Sequence, residues 1–326
     1  MCLQNEKLLT MEAIREAIAV DLIKKELTPE KFLRKTNKAD NEIYIVTAHD
    51  SPNTMTEIAR LRELSFRTAG GGTGKSIDID EYDTMENPFK QLIVWDPKEE
   101  KILGGYRFLF GKDVRFDENG TPLLATAYEF KFSQKFIKEY LPYTMELGRS
   151  FVQPDYQSSK MGSKSLFALD NLWDGIGALT VKIPEMKYLF GKVTMYSQYD
   201  ENARDMILGF VDNTFPDEEK LVEPINPIKN QYTKQQIQEL FAADSIKESY
   251  KKLNTEVRAL GVNIPPLVNA YIGLSPTIKS FGASRFLEFG DVIEFGILVN
   301  IADIYEEKKN RHIESYLKFL AEKISN

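Results

Sequence analysis

The chain predicts an α/β fold, α+β in its strict arrangement, with a mixed central sheet flanked by helices. Three observations point there. Strand candidates follow one another directly in the middle of the chain, at 91–95 and 102–110, joined by the turn-like DPKEE. Later strand candidates alternate with long helical stretches that read as crossovers, which favours a mixed sheet over a doubly wound one. The composition, 42% hydrophobic and 28% charged over 326 residues, is that of a globular protein with apolar content for a sizeable core.

The elements run as follows. Residues 10–34 read as helix, because Met11, Ile14, Ala17, Ile18, Leu22 and Leu27 recur at helical spacing. Residues 41–47 (NEIYIVT) are a strand candidate. Ser51-Pro52-Asn53 opens a helix through Phe66, with Ile58, Leu61, Leu64 and Ser65 near one face. A glycine-rich loop occupies 69–75, and an acidic stretch occupies 78–83. After the strands at 91–95 and 102–110, Asn119-Gly120 marks a turn and 133–140 a short helix. Residues 144–152 are a strand, 162–182 a long helix, 188–196 a strand and 201–210 a helix. From 216 to 266 the texture changes to Gln, Lys, Glu and Pro, with a helical run over 234–260, as in an insertion or arm. Residues 267–274 and 292–301 read as late strands, and a charged helix closes the chain. The expected organisation is a helical N-terminal extension over 1–38 and one catalytic domain over 39–326, with a helical insertion at about 216–265.

Several function classes fall away. A net charge of −7 argues against a nucleic-acid partner, and an anionic partner must meet a local basic patch. Cys2 is the only cysteine, which excludes disulfides within the chain and suggests a reducing compartment. His49 and His312 are too few for a Cys/His zinc site, so no metal is expected, and a Ser-His-Asp triad would have to use His49. No apolar run reaches membrane-spanning length, and MCLQNEKLLTMEAIREA has no signal-peptide core. A cytoplasmic protein is expected.

Residues 69–76, AGGGTGKS, have the spacing of a phosphate-cradling loop except for alanine at the first position. Lys75 and Ser76 stand where phosphate and magnesium contacts would be. That mechanism needs a strand before the loop and a helix after it. Here a helical pattern, TEIARLRELSFRT, precedes it, and the acidic IDIDEYD follows. The loop is therefore read as an active-site lid rather than a nucleotide cradle.

Four short pieces carry the chemistry. They are Arg62 and Phe66 in RLRELSFR, Asp80 and Asp83 in DIDEYD, Arg107 in GGYRF, and Glu146 and Arg149 in ELGRSFVQPDY. In order and spacing these resemble the acyl-homoserine lactone synthases. They are more similar still to the ornithine-lipid and glycine-lipid N-acyltransferases often labelled hemolysin-like, which also share the late Pro265-Pro266-Leu267 segment. The resemblance runs from about Ile43 to Ile301.

It implies the GNAT acyltransferase fold, whose mixed sheet splays between two strands to admit a pantetheine arm. It also implies transfer of a fatty acyl group, with or without a 3-hydroxyl, to the α-amine of an amino acid such as glycine or ornithine. No cofactor is held; phosphopantetheine arrives on acyl carrier protein, or on acyl-CoA, as the donor. Gln157-Ser158-Ser159-Lys160-Met161-Gly162 matches the ends of the family's phosphate-binding motif but has Lys160 where glycine is expected. That departure favours the single phosphodiester of a carrier protein, held by Lys160 and a helix N-terminus. Glu146 is then the base, with the backbone amides of Phe151 and Val152 for the oxyanion and Tyr199 to protonate the thiolate. Arg62, Phe66, Asp80, Asp83 and Arg107 would form the substrate side of the site.

The same residues have plainer readings. Glu146 and Arg149 could form a structural ion pair, and Asp80 and Asp83 could cap a turn. Arg107 could order the acidic loop by pairing with Asp80 or Asp83. Lys131, Lys135 and Lys138 could dock an acidic carrier protein or form a solvated face. The N-terminal helix could rest peripherally on the inner face of the membrane, although its acids favour packing on the domain or a dimer partner. Oligomeric state is not legible. The rival functions are a lactone-type signal synthase and a non-catalytic acyl- or carrier-binding module. An ATPase would rest on the glycine loop alone.

Overall fold

A computed structural model describes residues 11–157 and 163–325. Strands β1 (Phe32–Lys35), β2 (Glu42–Val46), β3 (Lys90–Asp96), β4 (Lys101–Phe110), β6 (Thr144–Val152), β7 (Tyr188–Met195), β9 (Lys279–Phe286) and β10 (Val292–Asn300) form one sheet, with β5 (Phe130–Phe132) and β8 (Val222–Pro224) forming a small second one. The order across the large sheet is β1-β2-β3-β4-β6-β7-β10-β9. Neighbours are antiparallel except β6 and β7, which run parallel and are connected by helix α4 (Ser163–Lys182). The mixed sheet flanked by helices that the sequence predicts is therefore present.

Parallel pairing of β6 with β7 begins at Thr144↔Tyr188 and stops at Leu147↔Gly191, although β6 continues to Val152 and β7 to Met195. Beyond those residues the two strands part. On its other edge, β6 pairs Gly148 with Arg107 but Phe151 with Gly105. Two residues of β6, Arg149 and Ser150, thus face the single residue Tyr106, which makes a β-bulge. Arg149 adopts a left-handed backbone there, φ 48°, a conformation uncommon for a side-chain-bearing residue.

Helix α2 (Pro52–Ala69) lies on one face and packs Ile58, Leu61 and Phe66 with Ile93, Trp95 and Phe151. Its proline sits in the first turn, where the missing N–H costs nothing. Helix α4 covers the other face, burying Leu172, Ile176 and Leu179 in a cluster with Leu92, Val94 and Leu147. By register, the α2 face also carries Leu109, Phe190 and Leu298. These join Phe130, Phe136 and Phe281 in a third cluster.

Three expectations are corrected. The helix read over 10–34 is confined to α1 (Val20–Glu26), and β1 occupies part of its range. Residues 12–18 instead bond to other segments. The N–H groups of Glu12 and Arg15 donate to the carbonyls of Gly74 and Ser76, and that of Ile18 donates to Glu57. Residues 267–274 form helix α8 (Pro266–Ile272), not a strand. Pro265-Pro266 sets its start, and buried Val268, Tyr271 and Ile272 share a helical face. The run over 234–260 is broken into α6 (Lys234–Phe241) and α7 (Ile246–Ala259) because the Ser245 side chain caps the second helix by accepting from Glu248 N–H. Strands β1, β5, β8 and β9 were not anticipated.

At the end of β4 the chain passes so close to Leu141 that a Cβ on Gly111 would lie 1.6 Å from its carbonyl oxygen. Gly111→Ala must therefore move backbone, at a cost of about 1–3 kcal/mol or more. Thermal unfolding should show a clearly lowered Tm, and an unchanged Tm would mean the two segments are not so tightly apposed.

Candidate active site

Three arginines and three aspartates form a closed, alternating ring on the α2 face. Arg62 of α2 reaches Asp78 at 3.0 Å and Asp83 at 3.1 Å. Asp83 meets Arg107 of β4 at 3.3 Å, and Arg107 meets Asp80 at 2.6 Å. Asp80 faces Arg149 of the bulge at 3.7 Å, and Arg149 closes the ring on Asp78 at 2.9 Å. Arg62 and Asp83 are fully buried, and Arg107 and Asp78 nearly so. Asp80 caps the short helix α3 (Glu81–Thr84), its side chain and that of Asp83 each accepting the other's backbone N–H. Gln91 adds a donor to Asp83.

Burial opposes these charges, but the opposite charges outweigh it. Arg62 and Arg107 hold Asp83 well below the usual carboxylate range, and Arg149 and Arg62 do the same for Asp78. Asp78 and Asp83 together raise Arg62, so it stays ionised. Arg149 also lies over the ring of Phe289, 4.6 Å from its centroid, and Phe289 meets Phe66 edge to face at 5.2 Å. The predicted residues Arg62, Phe66, Asp80, Asp83, Arg107 and Arg149 are thus brought together. Asp78 is the member that motif reading left out.

Glu146 does not pair with Arg149. It is buried, and its two carboxylate oxygens accept N–H bonds from Ala125 (3.2 Å) and Thr126 (2.8 Å). Burial is the dominant influence and pushes its carboxyl above the ordinary value, against the bonds from Thr126 and Ala125 and the charge of Arg107. A carboxyl raised in this way holds a proton more readily than an exposed one. Two residues on, Gly148 is half-buried, and a Cβ added there would meet nothing among the described residues nearer than Arg107 Nε at 4.0 Å. Open space therefore lies over β6 where it parts from β7, next to Glu146.

The remaining predicted residues fall elsewhere. Phe151 and Val152 pair with Gly105 and Gly104, and the pairing skips Arg149 and Ser150. The Tyr199 hydroxyl donates to the carbonyl of Asn263 at 2.9 Å, and burial raises its pKa to about 12. Its proton is engaged away from the ring. Gln157 donates to the carbonyl of Val152, the last residue of β6. Lys160 and Gly162 lie outside the described residues. Lys135 pairs with Glu219, and Lys131 stands opposite Glu223 in the β5–β8 pair, so the lysine face is partly neutralised.

In the glycine loop, Glu63 of α2 supplies the anion. Its carboxylate, fully buried, accepts from Thr73 N–H (3.0 Å), Thr73 hydroxyl (2.7 Å) and Gly74 N–H (2.8 Å), and pairs with Arg67. The loop follows a helix, and amides that a phosphate would need are taken.

Motif reading also missed a second buried group, Glu129, Lys192 and Glu294. Lys192 of β7 contacts both carboxylates, Glu129 at 2.5 Å. Its signal was present: Lys192 and Glu294 are single charges inside otherwise apolar strands, LFGKVTM and VIEFGILVN.

Asp83 bridges two arginines, so Asp83→Asn should cost about 3–5 kcal/mol, the range for breaking a buried pair. The pH dependence has a definite sign. A carboxylate depressed in the folded state stabilises above its unfolded pKa of about 3.9 and loses that contribution as pH falls through the folded value. Denaturant titrations should show wild-type stability declining below about pH 4. The variant should start lower and decline less; parallel curves would show that Asp83 does not carry this dependence.

Residues 61–165 match the acetyltransferase (GNAT) domain family. Over 308 residues the chain is 59% identical to the glycine N(alpha)-acyltransferase of Phocaeicola vulgatus, covering 94% of each chain. It is 58% identical to the enzyme of the same name from Bacteroides thetaiotaomicron, covering 94% of this chain and 91% of that one. A looser structural likeness, TM-score 0.37 at 10% identity over 80% of this chain and 92% of the other, is to FeeM, an N-acyl amino acid synthase from uncultured soil microbes. On the two close relatives and the domain match, the chain is an acyltransferase and belongs to the GNAT-fold N-acyl amino acid synthase family.

Proposed function

We propose that the protein transfers a fatty acyl group, with or without a 3-hydroxyl, from acyl carrier protein to the α-amine of glycine, giving a lyso-aminolipid. The names of the two relatives support glycine over ornithine as acceptor. The observation that carries the chemistry is the open space over Gly148 beside Glu146, at the point where β6 and β7 part. A pantetheine arm entering between the strands would bring its thioester there. Glu146 takes the proton of the attacking amine, directly or through water. The bulge at Arg149 and Ser150, where β6 leaves its regular ladder, is a better source of oxyanion amides than Phe151 and Val152. The ring of arginines and aspartates positions this bulge rather than reacting.

Glu146→Gln tests the base. Gln offers one acceptor where Glu146 offers two, so one of the N–H groups of Ala125 and Thr126 loses its partner, at about 1–3 kcal/mol of stability. At a temperature where the variant is still folded, kcat should fall by about a hundredfold to ten-thousandfold with little change in KM for the donor. Near wild-type kcat would remove Glu146 from the mechanism.

The donor is tested with matched chains on acyl carrier protein and on CoA, with glycine as acceptor and mass spectrometry of the product. The carrier-protein donor should have the higher kcat/KM. Comparable values would overturn the carrier-protein assignment, and transfer to homoserine-type acceptors in place of glycine would favour a signal synthase.

A further inference from the structure

We propose that Glu129 is the proton donor for the departing thiolate, so that proton uptake and proton release are divided between two carboxyl groups on one turn's contacts. The assignment rests on the reading that this site moves an acyl group from a thioester to an amine.

The geometry starts from the segment 125–129. Its first residues, Ala125 and Thr126, hold Glu146 through their N–H groups. Three residues after Thr126, the Glu129 side chain reaches Lys192. Lys192 directly follows Gly191, the last β7 residue paired with β6, so it stands at the edge of the opening between the strands. Gly148, over which the space is open, is the matching first residue of β6 beyond the last pair. Glu146 and Glu129 are therefore tied to the two strands that flank the gap, and one short segment bridges them.

Among the described residues, two charged side chains act on Glu129, Lys192 and Glu294. Lys192 comes from β7. Glu294 comes from β10, also contacts Lys192, and accepts from the Thr194 hydroxyl at 2.9 Å. Lys192 Nζ lies 5.0 Å from the centroid of the Phe286 ring. Arg149 acts on Glu294 from β6. Glu129 and Glu294 are 1% and 2% exposed, and Glu129 Oε2 has no donor among the described residues. Two buried carboxylates thus share one ammonium, and burial weakens the solvation that would support both charges. Burial, and then the charge and hydrogen bond of Glu294, raise Glu129 to about 8 against the pull of Lys192. Glu294, with Lys192 and Thr194 close and Arg149 nearby, is lowered. At neutral pH the proton of the pair rests on Glu129.

The step balances. The amine nitrogen forms the C–N bond, and its proton passes to the Glu146 carboxylate. The C–S bond breaks, sulfur leaves with the bonding pair, and the thiolate takes the proton of Glu129. The enzyme is left with Glu146 protonated and Glu129 ionised, and proton exchange through water restores both. A free thiol has a pKa of about 8.5, close enough to Glu129 for efficient transfer. Tyr199, bonded to Asn263, is not needed.

The test compares two donors carrying the same acyl chain. One is the pantetheine thioester; the other is a 4-nitrothiophenyl ester, whose thiolate leaves without a proton. Glycine is the acceptor for both, so ionisation of the amine cancels in the ratio of their rates. In the wild type, kcat/KM for the pantetheine donor relative to the aryl donor should fall as pH rises through about 8, where Glu129 loses its proton. Glu129→Gln should reduce kcat with the pantetheine donor by about a hundredfold to ten-thousandfold, and with the aryl donor far less. Equal losses with both donors would mean a structural role and overturn the assignment. Should the variant fail to fold, a wild-type ratio that does not change with pH overturns it alone. No transfer to glycine by the wild type from either donor would instead sink the acyl-transfer reading on which this one rests.

Discussion

The alternating ring of Arg62, Asp83, Arg107, Asp80, Arg149 and Asp78 is the interaction on which the site depends. Its members come from α2, from the 78–83 segment, from β4 and from β6. Buried ion pairs are weak evidence for stability, because desolvation offsets much of the attraction. In the closed ring each charge lies between two of opposite sign, which ties α2, the 78–83 segment, β4 and β6 to one another. Arg149 shows the consequence. Its left-handed backbone is a strained choice for arginine, and the two aspartates with the Phe289 ring hold it there. The bulge lies where β6 leaves β7, so the ring that fixes Arg149 also fixes the mouth of the opening.

This dependence explains what could be read in the sequence. Arg62, Asp80, Asp83, Arg107, Glu146 and Arg149 were legible because each sits in a short motif with fixed spacing. Those spacings reflect local structure, such as the reciprocal Asp80–Asp83 cap or the strand that carries Glu146 to the bulge. Asp78 escaped although it is only two residues from Asp80, since nothing local distinguishes one acid of DIDEYD from another. Its role comes from two arginines brought by α2 and β6. Glu129 and Lys192 are 63 positions apart and meet only through folding, although an unexplained charge inside an apolar strand was a signal.

The errors in the fold have the same origin. The periodic apolar residues of 11–27 satisfy a helical template, yet the backbone of 12–18 finds partners in the glycine loop and in Glu57. Arg67 joins the two segments by donating to the carbonyls of Glu12 and Lys75. Tertiary hydrogen bonds here override local propensity. The loop itself shows why spacing alone misleads. Its amides do face an anion, as in a phosphate cradle, but that anion is Glu63 of the preceding helix. A helix before the loop, rather than a strand, was the feature that decided against nucleotide binding.

Charge balance links this architecture to chemistry. The ring contains three arginines and three aspartates and is neutral by itself. Beside it, Lys192 is the cation held by Glu129 and Glu294, and Glu146 is bound by neutral backbone amides. If Glu129 and Glu294 were both ionised, their group with Lys192 would carry one uncompensated negative charge in a buried site. Protein interiors resolve such an excess by retaining a proton, and in this group the carboxyl raised by burial is Glu129. Transfer from a thioester to an amine makes a matching demand. One proton must leave the nitrogen and one must reach the sulfur, with no net change in charge. In the proposed reaction positioning and proton movement fall to different groups: Asp78 and Asp83, held low by their arginines, stay ionised, and the protons move through Glu146 and Glu129.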